Sequence, residues 1–159
     1  MRIRTGTWFK TKVKYKKTME DGSEKVVYEA YVVDALSFTE AESAIIEEMS
    51  VYVSGELKVS NLGKASYNEI FFSDVDDDDK FYTCKLQFIT IDEKSEKEKR
   101  SNVTYLVQAK SLARALRYVD EAMGKTMIDY DIVGLNETKV FDVFEHHAPS
   151  SENKEEKNE

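Results

Sequence analysis

The sequence predicts an α+β fold built from two tandem ββαββ repeats, each an antiparallel sheet with one packed helix, related by pseudo-twofold symmetry. Three observations predict it. The segment Tyr31 to Met49 returns in altered form as Tyr105 to Met123, an offset of about 74 residues that aligns Ser37 with Ser111 and Ala35 with Ala109. In both copies a valine-rich strand runs into a serine, and an apolar stripe of helical period follows it. Further strand-like segments flank each copy in the same order. A sheet with one helix has a single face to cover, so each helix is expected to pack on its own sheet.

The first strand is Trp8 to Lys17, with Phe9, Thr11, Val13 and Tyr15 on one face and Trp8, Lys10, Lys12, Lys14 and Lys16 on the other. Glu20-Asp21-Gly22-Ser23 turns the chain, and Gly22 can take the positive φ such a turn needs. Val26 to Ala35 returns. Ser37 is an N-cap and Glu40 completes a capping box. Phe38, Ala41, Ile45 and Met49 then form one stripe, expected to be core. Glu56 to Asn61 and Ala65 to Phe72 close the first repeat, whose expected span is 1–73.

Residues 74–80 carry Asp74 and the run Asp76 to Asp79, which repels itself and is expected to be a solvated linker. The second repeat, 81–145, opens with Phe81 to Ile91, where Tyr82, Cys84, Leu86 and Phe88 repeat the parity of Phe9 to Tyr15. A charged hairpin connection, Asp92 to Lys99, leads into the returning strand. Ser111 caps the second helix, with a stripe of Leu112, Ala115, Leu116, Val119 and Met123. Asp129 to Val133 and Lys139 to Phe144 are the closing strands. Residues 146–159 are almost devoid of apolar side chains and are expected to be a disordered tail.

Length and composition narrow the function. A chain of 159 residues with 41% hydrophobic and 34% charged residues can bury a core and still present a highly charged surface. No apolar run approaches the roughly twenty residues that span a bilayer, so no membrane partner is expected. The first residues lack the apolar core of a signal peptide. A lone cysteine, Cys84, forms no internal disulfide and fits a reducing interior. The cytoplasm is the expected location, where the Asn102-Val103-Thr104 and Asn136-Glu137-Thr138 sequons carry no meaning.

The net charge is −8, which argues against a general polyanion binder. Its distribution is uneven: Arg2, Arg4, Lys10, Lys12, Lys14, Lys16 and Lys17 all precede the first acid, Glu20. Cations at every second position of a strand stand about 6.6 Å apart and can track a phosphate backbone, with Trp8 on the same face to stack a base. Trp8, Lys10, Lys12, Lys14 and Lys16 are therefore the candidate nucleic-acid-binding residues. The competing reading is a solvated strand whose lysines guard an edge against pairing. The second repeat offers Phe81, Thr83, Lys85, Gln87 and Ile89 there, so the basic face is not duplicated.

The remaining candidates are weaker. The aspartate cluster lacks the spaced ligands, central glycine and closing glutamate of a calcium loop. Asp76 to Lys80 coincides with an enteropeptidase recognition sequence, by chance within an acidic stretch. His146 and His147 are adjacent and have no third ligand nearby, so no metal is expected. Cys84 falls on the buried parity of its strand and reads as core. There is no phosphate loop, nucleophile elbow or His-Glu-x-x-His, so neither an enzyme nor a cofactor is expected. Two partner classes remain: a single-stranded nucleic acid, or a protein, either from a host or a second copy of the chain.

The residues Trp8-Phe9-Lys10, Tyr31 to Glu42, Val53 to Leu57 and Met127 to Ile132 resemble the "domain of unknown function 4494" family of gut Bacteroidetes and of their phages and mobile elements. Within them the Leu36-Ser37-Phe38-Thr39-Glu40-Ala41-Glu42 run is the most specific. The resemblance implies a bacterial or phage intracellular protein. It implies no activity, cofactor or catalytic residue.

Overall fold

A computed structural model describes residues 1–146, and its fold is α+β with two helices and nine strands in two sheets. In chain order these are β1 (Arg2–Arg4), β2 (Trp8–Thr18), β3 (Glu24–Asp34), α1 (Phe38–Met49), β4 (Leu57–Lys64), β5 (Glu69–Phe72), β6 (Lys80–Ile91), β7 (Glu98–Ala109), α2 (Leu112–Gly124), β8 (Asp129–Glu137) and β9 (Val140–Phe144). The tail expected to be disordered lies, from His147 on, outside the described residues.

The chain forms two compact units that interleave in sequence. Of the described residues, one unit comprises Thr7–Ala65 and 142–146; the other comprises Met1–Gly6 and Ser66–Phe141. This differs from the expected division at 1–73 and 81–145, and the difference lies in the last strand of each half. The first unit's sheet runs β4-β2-β3-β9, and the second's runs β1-β5-β7-β6-β8. Thus β5 lies beside β7 and β9 lies beside β3. The sheets are also not purely antiparallel as expected, because β5 pairs with β7 in parallel, Ile70 opposite Leu106. The three-residue β1, with no counterpart in the sequence reading, pairs with β5 and sets the Arg2 guanidinium 4.3 Å from the Phe72 ring centroid.

Within the four-stranded unit, Phe9, Val13, Tyr31 and Val33 of the sheet pack against Ala41, Ile45 and Met49 of α1. Thr11 also lies buried on this side, its hydroxyl donating to the Tyr31 carbonyl at 3.0 Å. In the five-stranded unit, Tyr82, Cys84, Leu86, Tyr105 and Val107 pack against Ala115, Val119 and Met123 of α2. Each helix therefore covers the sheet face that carries Phe9 and Val13 in one unit and Tyr82, Cys84 and Leu86 in the other. Three residues of the expected stripes do not belong: Phe38 is 55% exposed, Leu112 is 49% exposed and Leu116 is 40% exposed. Alanines 41, 44 and 115 bring each helix close to its sheet, which turns the flanking Phe38 and Leu116 away from the core. Phe38 keeps only an edge contact with Phe9, ring centroids 5.2 Å apart.

Both helices start at the predicted serines. Ser37 accepts from the Glu40 amide at 3.1 Å, and Ser111 accepts from the Arg114 amide at 3.2 Å. A bulge interrupts β4 opposite Lys12 and Val13, and another interrupts β8 opposite Lys85 and Leu86. The predicted strand Ala65 to Phe72 is ordered as a strand only from Glu69.

Candidate nucleic-acid interface

Strand β2 pairs with β3 along its full length and with β4 from Phe9 to Tyr15, so it is a central strand. Because α1 takes Phe9 and Val13, the even positions must emerge on the opposite face. Lys10, Lys12 and Lys16 are exposed there and Lys14 is half-buried. Cross-strand partners share a face, which places Ala30, Tyr28 and Val26 of β3 opposite Lys12, Lys14 and Lys16. On the other side, Asn61 stands opposite Lys12 and Lys58 opposite Lys14. The Lys14–Lys58 pair sets like charges directly opposite one another, an arrangement that costs stability. Lys12, Lys14, Lys16 and Lys58 form no ion pair with any described carboxylate.

At the hairpin end this face opens into a groove of about 480 Å³, lined among others by Lys14, Lys16, Lys58, Glu24 and Glu56. At the other end the face is closed. Trp8 is 1% exposed and Val32 fully buried. Trp8 thus corrects the sequence reading: it keeps the predicted parity, but burial leaves its ring no face for a base. The aromatic that stands among the lysines is Tyr28, 57% exposed, with the Lys14 ammonium 5.7 Å from its ring centroid. Sequence reasoning followed a single strand and missed Tyr28 and Lys58, whose places on the face depend on register. The signal was present in the alternation of β3, where Tyr28 shares parity with Val26 and Ala30.

The other candidates resolve as structure. Asp78, expected in a solvated linker, is 2% exposed. It accepts from Ser73 Oγ, from the Tyr118 hydroxyl, from the Lys110 amide at 2.8 Å and from Arg114 Nη1 at 3.0 Å. Burial alone would raise its pKa, but these hydrogen bonds outweigh it and hold the carboxyl below its usual value. In α1, Glu40 Oε2 accepts from the Leu36 amide at 3.0 Å. The matching position in α2 is Arg114, so Asp78 brings the carboxylate to the Lys110 amide from outside the helix. The acidic run is thereby an anchor for α2 at one of its members, with Asp76, Asp77 and Asp79 still exposed.

Cys84 is fully buried, and burial together with the nearby charge of Asp120 pushes its thiol up to about 11, which keeps it protonated and unreactive. On the helix side of the four-stranded sheet, Tyr15 and Tyr31 both donate to Glu29 Oε1, at 2.7 and 3.0 Å. Burial, with the hydrogen bond and charge of Glu29 added, raises Tyr15 to about 12 and Tyr31 further, so both remain donors. His146 Nε2 lies 3.1 Å from Glu48. Among the described residues no cluster of three metal-ligating side chains exists, and no helix is long and apolar enough to cross a membrane.

The two sheets with one helix each, and one open basic sheet face, define a small α+β protein with a candidate polyanion-facing surface. The chain belongs to the family described as "Domain of unknown function (DUF4494)", whose profile matches residues 7–146. No curated protein and no solved structure matches it.

Proposed function

We propose that this protein is a small cytoplasmic, non-enzymatic protein that holds single-stranded DNA or RNA on the lysine face of β2. Its resemblance to proteins of Bacteroidetes, their phages and mobile elements suits that role. One observation carries the reading. Lysines that guard a sheet against pairing belong on an edge strand, whereas β2 has a hydrogen-bonded neighbour on both sides. Lys10, Lys12 and Lys14, which lie between β3 and β4, have no edge to guard. Lys12, Lys14 and Lys16 form, with Lys58, a row of cations that no described acid neutralises, and such a row is stabilised by an incoming polyanion. The acidic remainder of the molecule limits non-specific attachment.

Replacing Lys12, Lys14 and Lys16 by glutamine keeps the strand and removes three phosphate contacts. Affinity for an oligonucleotide, followed by fluorescence anisotropy, should fall. The slope of log K against log salt should flatten by about two units, at about 0.7 per contact. Absence of binding by the wild-type protein even at low salt would overturn the proposal.

A second reading, a module that engages a host protein or a second copy of the chain, is favoured by a separate observation. Leu36 and Phe38 beside the start of α1 are 76% and 55% exposed, and Ile46 of the same helix is also exposed. Pull-down from lysate with and without nuclease separates the two, because a protein partner survives digestion of the nucleic acid.

A further inference from the structure

We infer that Tyr28 is a base-stacking residue that makes the lysine face selective for single strands over duplex. This deepens the nucleic-acid reading and rests on it. Tyr28 has no packing role that explains a large ring at its position. It is 57% exposed, with the exposed Val26 on one side and the half-buried Ala30 on the other, and its face lies opposite the helix-covered core. The equivalent position in the five-stranded unit, one repeat offset away, is Asn102, which hydrogen-bonds Gln87 at 3.2 Å. The aromatic therefore accompanies the full lysine row and is absent from the unit that keeps only Lys85 of it.

Its neighbours fix what the ring can receive. Lys14 is its cross-strand partner, and Lys12 and Lys16 flank Lys14 on the same face at the two-residue spacing of a strand. A ring set within a row of cations meets the base of a nucleotide whose phosphates the cations hold. The bases of a duplex are already stacked and paired and present no π-face sideways, so only an unpaired base can lie on Tyr28. The Lys14 ammonium near the ring adds a cation–π contact that holds the phenol in place.

The test uses the full chain with oligothymidine and a duplex of equal length as probes. Tyr28→Ala should bind oligothymidine about 5- to 150-fold more weakly, with the salt slope unchanged and duplex binding unaffected. Tyr28→Phe should retain wild-type affinity. Tyr28→Trp should give an added fluorescence that oligothymidine quenches and duplex does not, since the native Trp8 is buried. Equal affinity of wild type and Tyr28→Ala for oligothymidine overturns the inference, as does wild-type binding of duplex as tight as of single strand. In either case the lysine variants still show the salt effect and the parent reading stands. No binding of either probe by the wild type overturns both.

Discussion

The ring of Tyr31 lies on the ring of Phe144, centroids 5.3 Å apart and 21° from parallel, although one comes from β3 and the other from the last strand of the chain. Tyr105 of β7 meets Phe71 of β5 with ring centroids 4.9 Å apart and the rings tilted by 32°. The backbone beyond these strands is held alike: Asp34 accepts from the His146 amide, and Gln108 accepts from the Ser73 amide at 2.9 Å. Asp34 and Gln108 stand 74 positions apart, and Ser73 and His146 stand 73 apart. These matched pairs support a proposal that each half is a ββαββ unit that lends its last strand to the other half's sheet.

If so, cutting the chain's last strand should damage the unit made from the chain's first half. Ending the protein after Thr138 removes β9 and should expose the outer edge of β3. Amide exchange of Val32 and Val33 should accelerate by orders of magnitude, while β6 and β7 keep their protection. Phe71→Ala, at a site 1% exposed, should cost about 3–5 kcal/mol of stability. Unchanged exchange in β3 on loss of β9 would show that the strand is an accessory.

The anchor at Asp78 makes a prediction about acid. Its folded pKa lies below the ordinary value of 3.8. Its contribution is therefore complete above that value and is lost as pH falls through the lower, folded one. At neutral pH, Asp78→Ala leaves the part-buried Arg114 guanidinium, the Tyr118 hydroxyl and the Lys110 amide without their acceptor, and should cost about 3 kcal/mol. Urea unfolding of wild type and variant should show this gap at pH 7 and a shrinking one well below pH 3.8. The same burial predicts that enteropeptidase leaves the folded protein intact after Lys80, although Asp76 to Lys80 match its recognition sequence. Cleavage should appear only in urea or in a variant that frees the segment.

Two leucine-like positions of the helices should behave differently. Ile45→Ala, at a fully buried site, should cost about 2–5 kcal/mol. Leu116→Ala, at a site 40% exposed, should cost about 1 kcal/mol or less. Thermal or urea denaturation of the two variants distinguishes a buried stripe from its flank. Equal losses would mean that Leu116 packs as deeply as its spacing suggests.

Much of the local structure was legible because it depends on neighbours in sequence. Alternation placed β2 and β3, and the serines marked both helix starts, since a cap needs only its own oxygen and an amide three residues on. Ile45, Val119 and Met49 announced themselves through helical spacing. Phe38 and Leu116 carried the same signal and proved exposed, because spacing defines a broad stripe and the sheet decides which part of it is covered. Asp78 was illegible for a related reason. A run of aspartates looks uniform until α2, with Arg114 in place of an acid, comes to lie beside one of them.

The candidate interface divides the same way. The sequence by itself determined that Lys10, Lys12, Lys14 and Lys16 share a face, because side chains of a strand alternate whatever the strand pairs with. Only the tertiary structure decided that β2 lies inside its sheet, that Trp8 is buried, and that Tyr28 and Lys58 join the lysines. Pairing partners, register and burial depend on segments distant in the chain, and no periodicity within one strand encodes them. The placement of β5 beside β7 and of β9 beside β3 belongs to that second kind: both strands were predicted, but the sheet each joins is set by contacts such as Tyr31 with Phe144 that no local pattern carries.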